Sequence, residues 1–479
     1  MFVMLLQDLA SPVVQTLLAL LYLVLAASVT ADVLLTKSDV RSAIGWIAAA
    51  WLSPILGGLL YFLFGINRVT RRALKLTRRR GRTETHPPSG EPPALSQNIA
   101  ELADISAKVV GGPLTGGNRI TPLAGGDEAY PQMLAAIDGA TKGVVLASYI
   151  FRDDEAGRRF AQALTGAKAR GVAVRVLLDS VGTGYLYSPI LARLRGGGVR
   201  TARFLHTWLP WRMPFLNMRN HRKLLVVDGR LAFTGGINIG AENCRSLRPD
   251  DHIDDVHFRV EGPAVRQVMA AFAHDWDFTT GEVLDDPFWW PDLAPAGSTV
   301  VRGLSSGPDA DLYKLETMLG AAIGLARTQV RIVTPYFLPD ARLQFVIAQA
   351  VLRGVRVDIV LPQHSDQRLM QWAMSAHIRF FRHVGAHFSL TQGPFDHSKL
   401  ATVDGQWCLL GSSNWDARSF RLNFEFDLEC YDPELTARID TLIDARIARG
   451  ATLTPEALLA RPRWLQLRDA AARLLMPYL

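Results

Sequence analysis

Residues 221–238 read HRKLLVVDGRLAFTGGIN, and residues 397–414 read HSKLATVDGQWCLLGSSN. Both follow H-x-K-x4-D-x6-G-[GS]-x-N without a gap, so His221, Lys223, Asp228 and Asn238 recur 176 residues later as His397, Lys399, Asp404 and Asn414. At average residue usage, one H-x-K-x4-D match in a chain of this length has roughly one chance in thirty. A second match with the same glycine and asparagine downstream removes coincidence. Two histidines and two lysines at matching positions predict one site at the interface of two similar halves.

The surroundings repeat as well. Residues 144–179, VVLASYIFRDDEAGRRFAQALTGAKARGVAVRVLLD, read strand, helix, strand, and residues 330–362, VRIVTPYFLPDARLQFVIAQAVLRGVRVDIVLP, read the same way. Apolar strands alternating with amphipathic helices indicate βαβ units in a sheet covered on both faces. Each motif begins just before a strand (KLLVVD, KLATVD). A turn at Asp228-Gly229 or Asp404-Gly405 then returns the chain into a second strand. The expected fold is α/β, with two sandwich domains at residues 101–292 and 293–479 in a pseudo-twofold arrangement, the second ending in a helix.

Ahead of these lies a different composition. From about residue 9 to 31 the chain is almost wholly apolar, and residues 42–65, SAIGWIAAAWLSPILGGLLYFLFG, carry no charge. At about 1.5 Å per helical residue either stretch can cross a hydrocarbon core of roughly 30 Å. Pro54, Gly57 and Gly58 are tolerated in a membrane helix. The short link between the stretches predicts a transmembrane hairpin within residues 1–66. Val29-Thr30-Ala31 resembles a signal-peptide cleavage site, but residues 1–12 hold no basic residue and a second apolar stretch follows at once.

The net charge of +7 invites a nucleic-acid reading until it is located. Arg68, Arg71, Arg72, Lys75, Arg78, Arg79, Arg80 and Arg82 form an acid-free block, and removing those eight charges leaves the rest of the chain at about −1. The excess is therefore juxtamembrane, which disfavours a nuclease or any nucleic-acid partner. By the positive-inside bias it places the block, the linker that completes residues 67–100 (GRTETHPPSGEPPALSQ) and everything after it in the cytoplasm. Cys244, Cys408 and Cys430 are too scattered for a zinc site or a disulfide framework.

His221 and Lys223 stand two residues apart, as do His397 and Lys399, so on a strand each pair points one way. Two imidazoles and two ammonium groups around one point suit a phosphate diester. The lysines, with Asn238 and Asn414 as phosphate-binding amides, hold its oxygens and stabilise charge in the transition state. One neutral histidine attacks phosphorus while the other, protonated, serves the leaving oxygen. This chemistry requires no metal or other cofactor. A nucleophilic histidine needs its second ring nitrogen fixed, and Asp255 and Glu425, some 30 residues after their motifs, are candidate orienting acids. Their other reading is as exposed strand carboxylates. Asp228 and Asp404 sit at turns, where a turn-fixing role competes with direct catalysis.

The doubled H-x-K-x4-D pattern resembles the phospholipase D superfamily. The remaining signatures, LSPILGGLLYFLFG, YIF, RGVAVRVLLD, MRNHRKLLVVDG, EGPAV, TPYFLPD and NWDARSFRLNFE, are similar to its bacterial cardiolipin synthases. The resemblance covers nearly the whole chain. It implies two phospholipase D-like domains behind a membrane hairpin, in a multi-pass protein of the bacterial inner membrane. It further implies transfer of a phosphatidyl group between two phosphatidylglycerol molecules, giving cardiolipin and glycerol through a phosphohistidine. Motif position makes His221 the expected nucleophile and His397 the acid/base. A phospholipase D hydrolase, or a transferase with another donor, would use the same cage. Assembly into a homo-oligomer is compatible with this reading. Two further segments have double readings. Trp208, Trp211 and Phe215 suit a membrane lip or buried packing. The stripe Trp464, Leu467, Ala471 and Leu474 is expected to dock the last helix on the catalytic body, membrane contact being the alternative.

Overall fold

A computed structural model of the chain describes residues 12–37, 39–65, 96–207, 218–308 and 311–476. The basic block 68–82, nearly all of the linker and the segment with Trp208, Trp211 and Phe215 lie outside the described residues. The chain divides into two units, Met1–Arg72 and Ala73–Leu479.

In the first unit Pro12–Thr36 is one helix of 25 residues, about 38 Å long and sufficient for a hydrocarbon core of about 30 Å. Leu17, Leu20, Leu23 and Val24 are exposed along it. The second apolar stretch departs from expectation, because it is not one continuous helix. Val40–Leu52 ends at Ser53 (φ −148°, ψ 84°), and Pro54–Leu60 starts anew. Pro54 has no N–H to continue the ladder, and its ring drives the preceding residue out of the helical region. A Cβ on Gly57 would lie 2.2 Å from the Ala49 carbonyl oxygen, so the chain folds back closely there. The 13 residues of Val40–Leu52 reach only about 20 Å. Val29 and Val33 of the long helix pack with Ala50 and Tyr61, and the Tyr61 hydroxyl donates to Asp32 at 2.7 Å.

The second unit carries the repeat. Its first half contains β1 (Thr115–Ala124), β2 (Gly143–Ser148), β3 (Ala173–Asp179), β4 (Arg200–Phe204), β5 (Leu224–Val227), β6 (Leu231–Gly235) and β7 (Val256–Glu261). They are ordered β1-β7-β6-β5-β2-β3-β4 across the sheet. The second half contains β8 (Thr299–Ser306), β9 (Gln329–Val333), β10 (Arg356–Pro362), β11 (His387–Thr391), β12 (Leu400–Val403), β13 (Trp407–Gly411) and β14 (Asn423–Tyr431). Their order, β8-β14-β13-β12-β9-β10-β11, matches these seven, and Gly450–Leu453 adds an edge strand antiparallel to β11 that the first half lacks. β1 and β8 pair antiparallel and join the halves. The βαβ units are as read from the sequence: β2 and β3 run parallel around helix Glu155–Ala169, and β9 and β10 around Ala341–Leu352. Each half buries its own core, with Phe160, Val176, Leu225 and Phe233 in one and Ile332, Ile359, Phe388 and Trp407 in the other.

One boundary and one docking face differ from expectation. Helix Gln97–Val110, overlapping the expected start of the first domain at 101, packs Ile99, Leu102 and Val110 into the second half's core. Ser106 donates to Glu429 at 2.6 Å and Lys314 to the Val110 carbonyl at 2.9 Å. The first half's sheet begins only at Thr115. The last helix, Arg463–Leu474, docks by the face of Asp469 and Ala472. Its apolar stripe points outward, with Trp464, Leu467 and Leu474 exposed by 65%, 71% and 74%. The contacts that reach the body come from the opposite face: Ala472 enters the second half's core, Gln466 accepts from Arg379 at 3.2 Å, and Arg473 lies over the Phe380 ring. Asp469 binds Arg468 at 2.7 Å and also pairs with Arg461, while the Arg468 guanidinium lies 4.4 Å from the centre of the Trp372 ring.

Candidate active site

The segment ahead of each histidine leaves its own half and pairs with the other. Arg219–Asn220 runs parallel to Asn423–Phe424 of β14, and Phe395–Asp396 runs parallel to Ile253–Asp254 ahead of β7. Consequently the His221 N–H donates to the Phe424 carbonyl at 2.9 Å, and the His397 N–H to that of Asp254 at 2.7 Å. The imidazoles cross over as well. His221 Nδ1 meets both oxygens of Glu425, at 3.0 and 2.9 Å, and His397 Nδ1 meets Asp255 Oδ2 at 2.8 Å. Asp255 and Glu425 thus stand against the histidines, each against that of the opposite half, rather than exposed on their strands. Both acids are fully buried, and each ring leaves Nε2 as the atom directed away from its acid.

Burial would raise the Glu425 pKa, but His221, Lys223 and the Ser412 hydroxyl hold it below the usual carboxylate range. The Ser412 and Ser419 hydroxyls donate to it at 2.6 and 2.9 Å, and the Asn423 amide at 3.1 Å. Asp255 is likewise lowered, burial being outweighed by Lys399 and His397. Burial pushes His221 down to about 4, with Glu425 opposing and both lysines assisting. His397 is lowered by burial and then by Lys399 and Lys223. Burial carries Lys223 down to about 7, and Lys399 also lowers it. Each histidine therefore feels the lysine of the other half, which brings the four motif groups to one place. Two ammonium groups both lowered by burial make a site suited to an anion.

Lys223 Nζ donates to the His221 carbonyl at 2.7 Å, and Lys399 Nζ to that of His397. Asn238 is 9% exposed and receives the Ile150 N–H at 3.1 Å. Asn414 is 5% exposed, and its Oδ1 has no protein partner among the described residues.

Asp228 and Asp404, included among the catalytic candidates, are elsewhere. They lie at the far end of β5 and β12, seven residues from their histidines, or about 20 Å along an extended chain. Asp228 accepts the N–H groups of Thr141, Lys142 and Gly143 at 2.9, 2.8 and 2.9 Å. Asp404 accepts those of Arg327, Thr328 and Gln329 at 2.9, 2.8 and 3.0 Å. They occupy left-handed positions (φ 50° and 52°) followed by left-handed Gly229 and Gly405 (φ 63° and 65°), the geometry of a tight hairpin turn. Their geometry is that of turn-fixing residues, and direct contact with a substrate at the histidines is out of reach.

Sequence reasoning missed several neighbours. Tyr149 stands edge-on to His221 with ring centres 5.0 Å apart, and Tyr336 approaches His397 at 6.5 Å. Both follow the first strand of a βαβ unit, so the repeat itself carried that signal. Behind His221, Arg222 binds Asp275 at 2.7 Å and the Glu425 carbonyl at 2.9 Å. Behind His397, Arg446 binds Asp396 at 2.7 Å and the Ser398 hydroxyl at 2.8 Å. The ion pair is inverted between the halves, with the cation on the motif in one and on the helix in the other.

A family model described as "Cardiolipin synthase, PLD-like domain" matches residues 133–276 and 319–447, and one described as "Phospholipase_D-nuclease N-terminal" matches residues 21–65. Cardiolipin synthase A of Pseudomonas fluorescens is 33% identical over 457 residues, covering 93% of this chain and 94% of the relative. Cardiolipin synthase of Listeria welshimeri is 28% identical over 470 residues, covering 93% and 95%. In fold, the crystal structure of phosphatidylserine synthase from Haemophilus influenzae superposes with a TM-score of 0.61 at 17% identity, over 79% of this chain and all of that one. The chain belongs to the cardiolipin synthase family of phospholipase D-like proteins.

Proposed function

We propose that this protein is a cardiolipin synthase that transfers a phosphatidyl group from one phosphatidylglycerol to another, releasing glycerol. The observation that carries the reading is the crossing of the two halves: two buried imidazoles, each bound at Nδ1 by the other half's carboxylate, share one site with two lysines. The halves are related by a pseudo-twofold axis through this site. Fixing Nδ1–H on a carboxylate leaves Nε2 as the free lone pair, the tautomer a nucleophile requires. His221 Nε2 attacks phosphorus and forms a phosphohistidine, while His397 supplies the proton to the departing glycerol oxygen. The acceptor's hydroxyl then gives its proton to His397 and displaces His221. Lys223 and Lys399 stabilise the equatorial oxygens, with the amides of Asn238 and Asn414 at the rim. Asp255 and Glu425 are positioning residues. Helix Pro12–Thr36 spans the bacterial inner membrane, residues 40–65 complete the anchor, and the basic block keeps the catalytic unit in the cytoplasm.

Lipid analysis tests the function. Purified protein in phosphatidylglycerol vesicles should make cardiolipin without nucleotide or divalent metal, and high glycerol should reverse the reaction. Phosphatidic acid as the only product would establish a hydrolase, and a need for phosphatidylethanolamine would identify a different donor. Labelling quenched in alkaline denaturant assigns the histidines: label should persist in His397→Ala and vanish in His221→Ala. Protease added to sealed right-side-out cells should leave the catalytic unit intact; its digestion would refute the orientation.

A further inference from the structure

The last helix, Arg463–Leu474, turns its apolar side away from the protein. Trp464, Leu467, Ala471 and Leu474 follow helical spacing along one face, and all four are exposed. The other face is occupied by Ala472 in the second half's core and by Asp469 in its ion pairs. A further exposed ring stands beside it. Phe380, on the turn Arg379–Phe381, lies 4.7 Å from the Arg473 guanidinium and is 54% exposed. This surface begins close to the catalytic cage. Tyr336, beside His397, donates to Asp366 at 2.6 Å and accepts from Gln367 at 3.2 Å, and helix Arg368–Ile378 starts at the next residue. Four residues on, or about 6 Å along that helix, the Trp372 ring receives Arg468 of the last helix.

Charge decides what such a face accepts. Residues 368–383 hold three arginines and no acid, and residues 461–476 hold four arginines and one acid, together +6. Apart from the block at 68–82 the chain sums to about −1, so all that lies outside that block and these two segments carries about −7. The apolar stripe is thus set in a positive region of an otherwise acidic molecule. A second copy using the same face about a twofold axis would bring +6 against +6. A surface of anionic lipids is complementary instead. A helix with Trp and Leu on one side and arginines along its borders has the composition that settles at headgroup level.

We propose that the last helix and the turn Arg379–Phe381 form an interfacial patch that seats the catalytic unit on an anionic lipid surface. The inference rests on the reading above that the substrates are anionic bilayer lipids. Trp464, Leu467, Leu474 and Phe380 enter the headgroup region, and the arginines at their borders meet lipid phosphates. The wall of the cage beside His397 then comes to rest near the level at which a lipid carries its phosphodiester. A cage held further off would have to draw two acyl chains into water before its histidines met phosphorus. The spanning helix ties the chain to the bilayer, and the patch decides which side of the catalytic unit faces it.

The test uses the full chain reconstituted in vesicles, with an environment-sensitive fluorophore on one introduced thiol. Cys244, Cys408 and Cys430 are buried, so the label reacts selectively with Leu467→Cys. Thr441→Cys provides the control, on helix Pro433–Ala448 across the sheet. Arg331 pairs with Asp440 of that helix at 3.2 Å, whereas Val330 and Ile332 on either side enter the core that receives Ala472. In phosphatidylglycerol vesicles, nitroxide lipids should quench the label at 467 roughly threefold more than that at 441. Phosphatidylcholine vesicles, or Arg382→Gln combined with Arg463→Gln at two exposed positions, should remove about half of that excess or more. Equal quenching at 467 and 441, or an excess indifferent to phosphatidylglycerol and to the arginines, overturns the patch. Energy transfer between labelled copies without lipid quenching overturns it too, by assigning the face to a second copy. Cardiolipin formation by wild-type protein in the same vesicles separates the two readings. Cardiolipin without quenching rejects the patch alone, and quenching without cardiolipin rejects the transferase reading while the patch stands.

Discussion

Glu425 and Asp275 are both fully buried carboxylates beside a cation, yet their removal should be felt in different measurements. Glu425→Gln keeps the shape but loses the charge that opposes depression of the His221 pKa, and it unfixes the ring tautomer. Turnover should fall roughly two to four orders of magnitude, read as the rate of cardiolipin formation, while the fold survives. Asp275→Ala strips Arg222 of its 2.7 Å partner at a buried site. That should cost about 3–5 kcal/mol in denaturant unfolding, because an uncompensated charge stays behind. Asp228→Ala should lower stability by about 1–3 kcal/mol, through the N–H groups of Thr141, Lys142 and Gly143 left without an acceptor. The sequence made His221, Lys223, His397 and Lys399 legible, because their spacing is a local property of the chain. Which acid meets which histidine was not legible. That depends on Arg219–Asn220 and Phe395–Asp396 pairing across the halves, and nothing within either motif reports it.

At the scale of elements, periodicity located the strands and helices but not what covers them. The βαβ units and the hairpins at Asp228 and Asp404 fall where apolar runs and turn residues put them. The last helix shows the complementary failure. Its apolar stripe is real, but the helix meets the body through Ala472 and through Arg468 over the Trp372 ring, while Asp469 pairs within the C-terminal segment. Leu467→Asp and Leu474→Asp should therefore change stability by no more than about 0.5 kcal/mol, whereas Asp469→Ala, at a buried ion pair, should destabilise by several times that. Thermal unfolding of the three variants distinguishes this from docking by the stripe, which would reverse the ranking. Pro54 acted similarly in the first unit: its composition suits a membrane, but its missing N–H ends one helix and begins another.

For the whole catalytic unit, the buried histidines set how stability responds to acid. Burial takes His221, His257 and His377 from 6.5 down to about 4. Between those values the unfolded chain binds protons that the folded chain refuses, so stability falls as pH drops from 7 toward 4. Each such histidine contributes a slope of up to about 1.4 kcal/mol per pH unit. His257→Gln should flatten the pH dependence measured by urea unfolding between pH 5 and 7, and an unchanged slope would show that His257 charges in the folded state. The cage should extend the same trend to the alkaline side, because Lys223, lowered to about 7, has released a proton there that the unfolded chain still binds, so stability continues to rise with pH.

The crossed pairing also has a consequence for how the enzyme comes into being on the ribosome. His221 waits for a carboxylate 204 residues further along, and His397 reaches back 142 residues to Asp255. Contacts so distant in sequence form late, after each half has built its local βαβ units. In a nascent chain that has released only its first half, His221 still lacks its acid and its partner imidazole. Competence thus arrives in one step near the end of synthesis, once Glu425 can meet His221.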